Sequence, residues 1–445
     1  MRMKFLLLIM VLVAILLSGC GARVEESADV SATESVLDEI MQSTVVPTEA
    51  MTMPEVTQVP TEAPTVPPTE PPTEPVAEMI HDSLRVLIDG FDNSAYLVDD
   101  NNWSKERVMP NQRLSLTSEV PFGGIYIEWD RIPELYSIVW DGGSVACGQN
   151  GFLHEFIRLP VAVNEVTFEF TSADMQVLTG IRIYTEGVAP DDVQVWLPPC
   201  EEADILVFPT HSDDDTLFFG PLISYYAVER QLRVQTAFMV EHHGYPERCH
   251  ERLNGLWDMG VRHYPVLGTA PDTATLSMSN AMRYYESSNI EQWQVEHIRR
   301  FKPMVVVGHD LNGEYGNGGH KVNAHFLVRA IESAADPMQF TESAEQYGIW
   351  DTPKLYLHLY EENEIILDVD TPLENDPEGR TPFQLAQAGY ACHLSQHQYG
   401  YSVQYGRSRA YDCRPFGLYR TLVGYDTVAD IMENIDVQAW RNPEN

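Results

Sequence analysis

The chain has 445 residues, with 28 Lys and Arg against 66 Asp and Glu, a formal net charge of −38. Charge this negative repels phosphate backbones and anionic headgroups, so it excludes a nucleic-acid partner and a polybasic mode of membrane attachment. The length is enough for two or three domains, and 44 % hydrophobic with 10 % aromatic residues describes a globular chain overall.

Met1 to Lys4 is short and basic, and Phe5 to Leu17 is an unbroken apolar run. That run is shorter than the roughly 20 residues a spanning helix needs, so residues 1–19 read as a signal peptide. Its end, Leu17-Ser-Gly-Cys20, resembles a bacterial lipobox. The resemblance implies that Cys20 carries a lipid and that the mature protein is anchored to the outer face of the cell membrane, through lipid rather than a protein span. Residues 20–79 are poor in aromatics, repeat Pro-Thr-Glu at Pro47, Pro60, Pro68 and Pro72, and hold nine prolines between Pro47 and Pro75. A segment of this composition buries too little apolar surface to offset its ordering entropy, and reads as an extended tether.

Residues 80–198 show short alternating stretches, Gly124 to Trp129, Ser137 to Trp140, Val166 to Phe170 and Gly180 to Tyr184, divided by Gly, Pro and Asp turns. The pattern predicts an all-β sandwich, and its spacing resembles the galactose-binding-like jelly rolls. Trp103, Trp129 and Trp140 are either sugar-stacking platforms or core and rim aromatics. The module is assigned a binding or spacer role, outside the chemistry. Cys147, Cys200, Cys249, Cys392 and Cys413 are widely spaced with no Cys-x-x-Cys pair, so one disulfide or none is expected.

From residue 199 to 445 the texture changes. Apolar runs at Ile205 to Phe208, Arg233 to Val240, Met304 to Val307 and Lys354 to Tyr360 alternate with helical stretches at Pro221 to Arg230, Pro246 to Met259, Asn289 to Phe301 and His320 to Ala335. Alternation of this kind predicts an α/β domain with a doubly wound, mostly parallel sheet, whose ligands bind at the carboxyl ends of the strands. Two polar clusters fall at such ends: Pro209-Thr-His211-Ser-Asp213-Asp214-Asp215 after the first strand, and Gly308 through His320, with five glycines after Val307, following the third. Imidazole and carboxylate are zinc ligands, and an adjacent free carboxylate is a general base. His309 and Asp310 are candidates to orient a ligand. His242 and His243, after the second strand, are candidates for the pocket wall, whereas His358 lies within a strand and reads as core. Neither His-Glu-x-x-His nor Gly-x-Ser-x-Gly occurs.

Ile205 to Asp215 resembles the strand and Pro-His-Pro-Asp-Asp-Glu motif of the PIG-L/LmbE family of zinc-dependent de-N-acetylases, and Gly313 to His320 is similar to its Gly-Glu-Tyr-Gly-His-x-x-His segment. The resemblance implies Zn²⁺ held by His211, Asp214 and His320, Asp213 as general base, Tyr315 as donor to the oxyanion, and an N-acetylated glycan as substrate. Arg248-Cys-His-Glu251 resembles the family's Arg-x-x-Glu, which makes Arg248 either a substrate contact or half of a helix ion pair. His393 and Gln396, in a helical segment Phe383 to His397, resemble a His-x-Ser-Gln element near the substrate, the alternative being a surface helix cap. Three departures stand out: Thr210 and Ser212 replace the prolines, Asp215 replaces Glu, and Asn317 stands at the position of a catalytic histidine. Asn cannot hold a positive charge, so the last change either lowers activity or moves acid catalysis wholly onto Asp213. Two functions follow as expectations: a deacetylase of N-acetylated amino sugars, or a carbohydrate-binding surface lipoprotein that no longer turns over.

Overall fold

Alternating apolar side chains make residues 79–184 an all-antiparallel β module in the computed structural model, which describes residues 74–441 apart from positions 100, 102, 172, 243, 287 and 288. The signal peptide, Cys20 and most of the tether lie outside the described residues, as does His243. The strands are β1 (Met79–Ile80), β2 (Arg85–Ile88), β3 (Phe91–Asp92), β4 (Glu106–Val108), β5 (Leu114–Trp129), β6 (Tyr136–Trp140), β7 (Gly143–Cys147), β8 (His154–Phe170) and β9 (Gln176–Tyr184). They run in the order β1-β9-β5-β8-β6-β7, with β2 on β5 and β4 on β9.

β5 and β8 are longer than their alternating stretches predict. The β5–β8 register shifts between Thr117 and Phe122 and again before Gly124. Pro121 lies there and has no N–H for the ladder, so the strand bends without ending: its first part pairs with β2, its second with β9, and β8 pairs with both parts. Leu114, Leu116, Phe122, Ile125, Ile127 and Trp129 fill the core between them. Of the three tryptophans, Trp129 is core, Trp140 is half-buried, and Trp103 is exposed. The module also begins earlier than residue 80: Ala77 is buried and its N–H donates to Val188 O at 2.8 Å.

The second region holds β10 (Ile205–Val207), β11 (Val234–Glu241), β12 (Val266–Pro271), β13 (Val305–Gly308), β14 (Lys354–His358), β15 (Glu364–Ile366) and β16 (Pro415–Thr421). The sheet order is β12-β11-β10-β13-β14-β16-β15. The first five strands are parallel, and the last two pair antiparallel. Ile205, Leu206, Val207, Val305, Val306 and Val307 have no exposed surface, as strands covered on both faces require. The covering helices are α1 (Asp214–Leu217), α2 (Gly220–Ser224), α3 (Pro246–Asp258), α4 (Met278–Tyr284), α5 (Ile290–Phe301), α6 (Gly318–Ala335), α7 (Thr341–Tyr347), α8 (Pro382–Ala391) and α9 (Val437–Arg441). From β10 the chain steps outward to β11 and β12, then returns to β13 on the other flank of β10, so the topological switch lies at the carboxyl ends of β10 and β13.

Two helical expectations are corrected. Pro221 to Arg230 is not one α-helix: α2 gives way to a wider π turn over Tyr225–Glu229. The stretch Phe383 to His397 ends as α-helix at Ala391, so His393 sits in the turn that follows α8. The five described cysteines are free thiols.

Candidate active site

Both polar clusters emerge side by side because β10 and β13 are adjacent. Two glycines make the second cluster possible: a Cβ on Gly308 would lie 2.3 Å from Leu327 Cδ2, and one on Gly313, whose φ is 67°, would lie 2.2 Å from Asn317 O. Between Gly313 and Gly316 the chain holds Tyr315 at φ 45°, ψ 20°, a left-handed conformation unfavourable for a ring-bearing residue. Strain of this kind survives only where surrounding structure imposes it, and here it sets the direction of the phenol.

Three donor groups meet at the switch point. His211 Nδ1 lies 3.1 Å from Asp214 Oδ2 and 3.3 Å from His320 Nε2, and His320 Nε2 lies 3.2 Å from Asp214 Oδ1. Tetrahedral ligands bound at 2.0–2.1 Å stand about 3.3 Å apart, so two imidazoles and a carboxylate at this spacing fit a zinc-sized ion. All three side chains are buried. His309, Glu314 and His320 form a second close group. There, however, Glu314 already accepts hydrogens from both rings, so this group organises the first rather than competing with it.

Glu314 has no exposed surface. Its Oε2 accepts from His309 Nδ1 at 2.8 Å and His320 Nδ1 at 2.7 Å, and its Oε1 accepts from His358 Nδ1 at 2.7 Å and the N–H of Asp310 at 3.1 Å. Burial works to raise this carboxyl, but the imidazoles hold it well below the ordinary range. His309 Nε2 accepts the N–H of Thr210 at 2.9 Å, which fixes that ring as the neutral Nδ1–H tautomer. Burial likewise lowers its pKa. His358, expected as plain core, is the third member of this network. His320 sits between Glu314 and Asp214, whose charges outweigh burial and push it up to about 10.

Asp213 and Asp214 are adjacent yet differ in state. Burial and then the Asp214 charge push Asp213 up to about 6, against the pull of Arg248. For Asp214 burial is outweighed by His320 and His211, which hold it well below the usual range. Asp215 is fully buried with no partner on either oxygen, and burial, then the Asp213 and Asp214 charges, raise its pKa well above the usual carboxylate range.

Arg248 donates to Asp272 Oδ2 at 2.8 Å, to Asp213 Oδ1 at 3.3 Å and to Ser212 O at 3.4 Å. The alternative of an Arg248–Glu251 helix pair is therefore not what the helix uses: Glu251 accepts from the N–H and Oγ of Ser395 at 2.7 and 2.6 Å. His242 approaches Asp272 at 3.3 Å, on the same side. Asn317 has two tasks: Oδ1 caps α6 by accepting from the N–H groups of Gly319 and His320 at 2.7 and 3.3 Å, and Nδ2 donates to Tyr315 Oη at 3.1 Å. His393 is apart from the cluster. It is fully enclosed beside Gly255 of α3, with neither ring nitrogen bonded, and burial followed by the Arg248 and Arg252 charges lowers it to about 3.

Sequence reasoning gave no role to Glu314 or Asp272. Glu314 stood inside the Gly-Glu-Tyr segment, and its place between His309 and His320 was an available signal. Asp272 follows β12, whose Gly268 and Pro271 hide its strand character, so no local pattern marked it.

No family model matches the chain. It is 37 % identical over 71 residues to 1D-myo-inositol 2-acetamido-2-deoxy-alpha-D-glucopyranoside deacetylase 2 of Saccharopolyspora erythraea, covering 16 % of this chain and 25 % of that protein. It is 25 % identical over 185 residues to deacetylase 1 of the same description from Catenulispora acidiphila, covering 36 % of this chain and 56 % of that protein. The chain thus spans between a quarter and somewhat over half the length of these relatives. Among solved structures it is similar to N,N'-diacetylchitobiose deacetylase from Pyrococcus horikoshii, at 15 % identity and a TM-score of 0.35, over 44 % of this chain and 72 % of the other.

Proposed function

We propose that this chain is a zinc-dependent amide hydrolase that removes acetyl groups from N-acetylated amino sugars. The observation that carries the reading is the triangle of His211, Asp214 and His320, with a carboxylate of raised pKa next to it in the chain. The deacetylase descriptions of the two relatives support the substrate class. Zinc held by His211, Asp214 and His320 would polarise the amide carbonyl and ease the ionisation of the attacking water.

Asp213 accepts the proton that water loses as its oxygen bonds to the carbonyl carbon. It then delivers that proton to the nitrogen as the C–N bond breaks, and acetate and a free amine leave. Tyr315 remains a protonated phenol, since burial and the Asp214 charge raise its pKa, and it donates to the developing oxyanion. Asn317 Nδ2 occupies an oxygen lone pair of that phenol and leaves its O–H free to do so. Arg248 and Asp272 offer a donor and an acceptor suited to sugar hydroxyls. The Leu17-Ser-Gly-Cys20 ending supports a lipid anchor at Cys20 and action at the outer cell surface.

Metal analysis and amine release decide between turnover and binding alone. The expected results are stoichiometric zinc in the purified protein, its loss in His211→Ala, and its retention in Asp213→Ala. Amine release from N-acetylglucosamine or N,N'-diacetylchitobiose should fall about 10²–10⁴-fold in Asp213→Ala. Absence of zinc at neutral pH overturns the reading. A zinc-loaded protein that binds these sugars without releasing amine leaves the carbohydrate-binding lipoprotein in its place.

A further inference from the structure

α3 has two working faces. Successive helical residues turn by about 100°, so Arg248, Glu251, Arg252 and Gly255 share one side, while His250, Asn254 and Trp257 share the opposite one. The first side serves the site: Arg248 bridges Asp213 and Asp272, and Arg252 donates to Ser212 Oγ at 2.8 Å. The second side is held by the β module and the segment that leaves it.

There, His154 Nε2 of β8 lies 2.7 Å from His250 Nδ1, Gln194 Nε2 donates to Asn254 Oδ1 at 2.6 Å, and Trp257 Nε1 donates to Asp191 O at 2.9 Å. Trp196 packs edge-on against Trp257 with ring centroids 5.3 Å apart. The bonds have a direction. Gln194 turns its NH₂ to Asn254, so its Oε1 accepts from Trp196 Nε1 at 2.9 Å and from His154 Nδ1 at 2.8 Å. Because Trp196 fixes that oxygen as an acceptor, His154 Nδ1 carries the hydrogen, with Tyr126 Oη also 2.9 Å from it; His154 Nε2 is then an acceptor, and His250 Nδ1 donates to it. His154 and His250 are nearly unexposed, and the β module and the α/β domain belong to one compact unit.

We propose that the β module is a positioning part of the reaction centre: through the His250–His154 and Asn254–Gln194 hydrogen bonds it sets the rotation and height of α3, and so the position of the Arg248 guanidinium. His154, Gln194, His250 and Asn254 are positioning residues, since they act on the reacting groups only through the side chains that α3 presents, Arg248 first among them. A shift of about 1 Å in such a group is enough to cost on the order of 10²-fold in rate. The kinetic consequence rests on the amide-hydrolase reading; the mechanical one does not.

The test combines a double-mutant cycle with hydrogen exchange in the full-length, zinc-loaded protein. His250→Leu and, separately, Gln194→Leu should lower kcat/KM for amine release from N,N'-diacetylchitobiose about tenfold with metal content unchanged. In an Arg248→Ala background the same changes should cost less than about twofold, because the group they position is gone. His250→Asn, which keeps a donor near the Nδ1 position, should restore most of the rate. Equal losses in both backgrounds overturn the proposal. Amide exchange over residues 246–258 should speed up about tenfold in His250→Leu relative to the wild type, with β10 and β13 unaffected; unchanged exchange in α3 also overturns it. Should the wild type release no amine from the disaccharide, the hydrolase reading fails, and exchange in α3 still decides whether the β module holds the helix.

Discussion

Glu314 is the residue to which three imidazoles are tied, and it makes a direct claim on metal affinity. An amide in its place cannot carry the negative charge that His309, His320 and His358 share. Glu314→Gln should therefore weaken zinc binding about 10–100-fold by competition with a chelator, with the three ligands untouched. Asp213 makes a claim on pH. Its carboxyl is pushed up to about 6, so it is protonated and lost as a base below that value. The acid limb of kcat/KM should lie near pH 6 and fall about tenfold per unit below it. Arg248→Ala removes a cation that lowers Asp213, and should move the limb to higher pH. Tyr315→Phe should lower kcat about 10²–10³-fold while zinc stays bound, since only the oxyanion donor is removed.

At the scale of elements, the N-terminus of α6 joins stability to the site. Asn317 caps the helix and tethers the phenol with one side chain, which gives the position a physical reason to be Asn rather than His. Asn317→His should not raise turnover, and both it and Asn317→Ala should cost about 1 kcal/mol of stability through loss of the cap, measured by urea denaturation. The other end of α6 is held by Arg299, which is unexposed and donates to the carbonyls of Ala334, Phe340, Ser333, Asp336 and Gln339. Arg299→Ala strands these acceptors together and should cost about 3 kcal/mol or more, with the site chemistry unaltered once folded.

For the whole molecule, metal binding and folding are linked. His320, raised to about 10 between Asp214 and Glu314, must give up its Nε2 proton before that nitrogen can act as a ligand. Zinc affinity should therefore rise about tenfold per pH unit from pH 6 to 9, and zinc at about 1,000 times its Kd should stabilise the fold by about 4 kcal/mol. Thermal unfolding with and without chelator at several pH values checks both. The net charge of −38 bears on this only in excluding partners; the few carboxylates that matter are those the fold has buried.

Legibility in the sequence followed locality. Periodicity made the all-β and α/β regions, the four main parallel strands and most helices readable, because each is written in neighbouring residues. The His-x-Asp-Asp cluster and the glycine-rich segment to His320 were readable for the same reason, whereas the separate roles of His211, Asp213, Asp214, Tyr315 and His320 came only from the family resemblance. Closure of the triangle was not, since His211 and His320 are 109 positions apart and meet only because β10 and β13 pair. Asp272, His358 as a partner of Glu314, and the grip of His154 on His250 depended on packing alone. The sequence by itself determined which residue types and local elements were available; the tertiary structure decided which of them face one another, because strand order and helix rotation are properties of the packed sheet and leave no period in the chain.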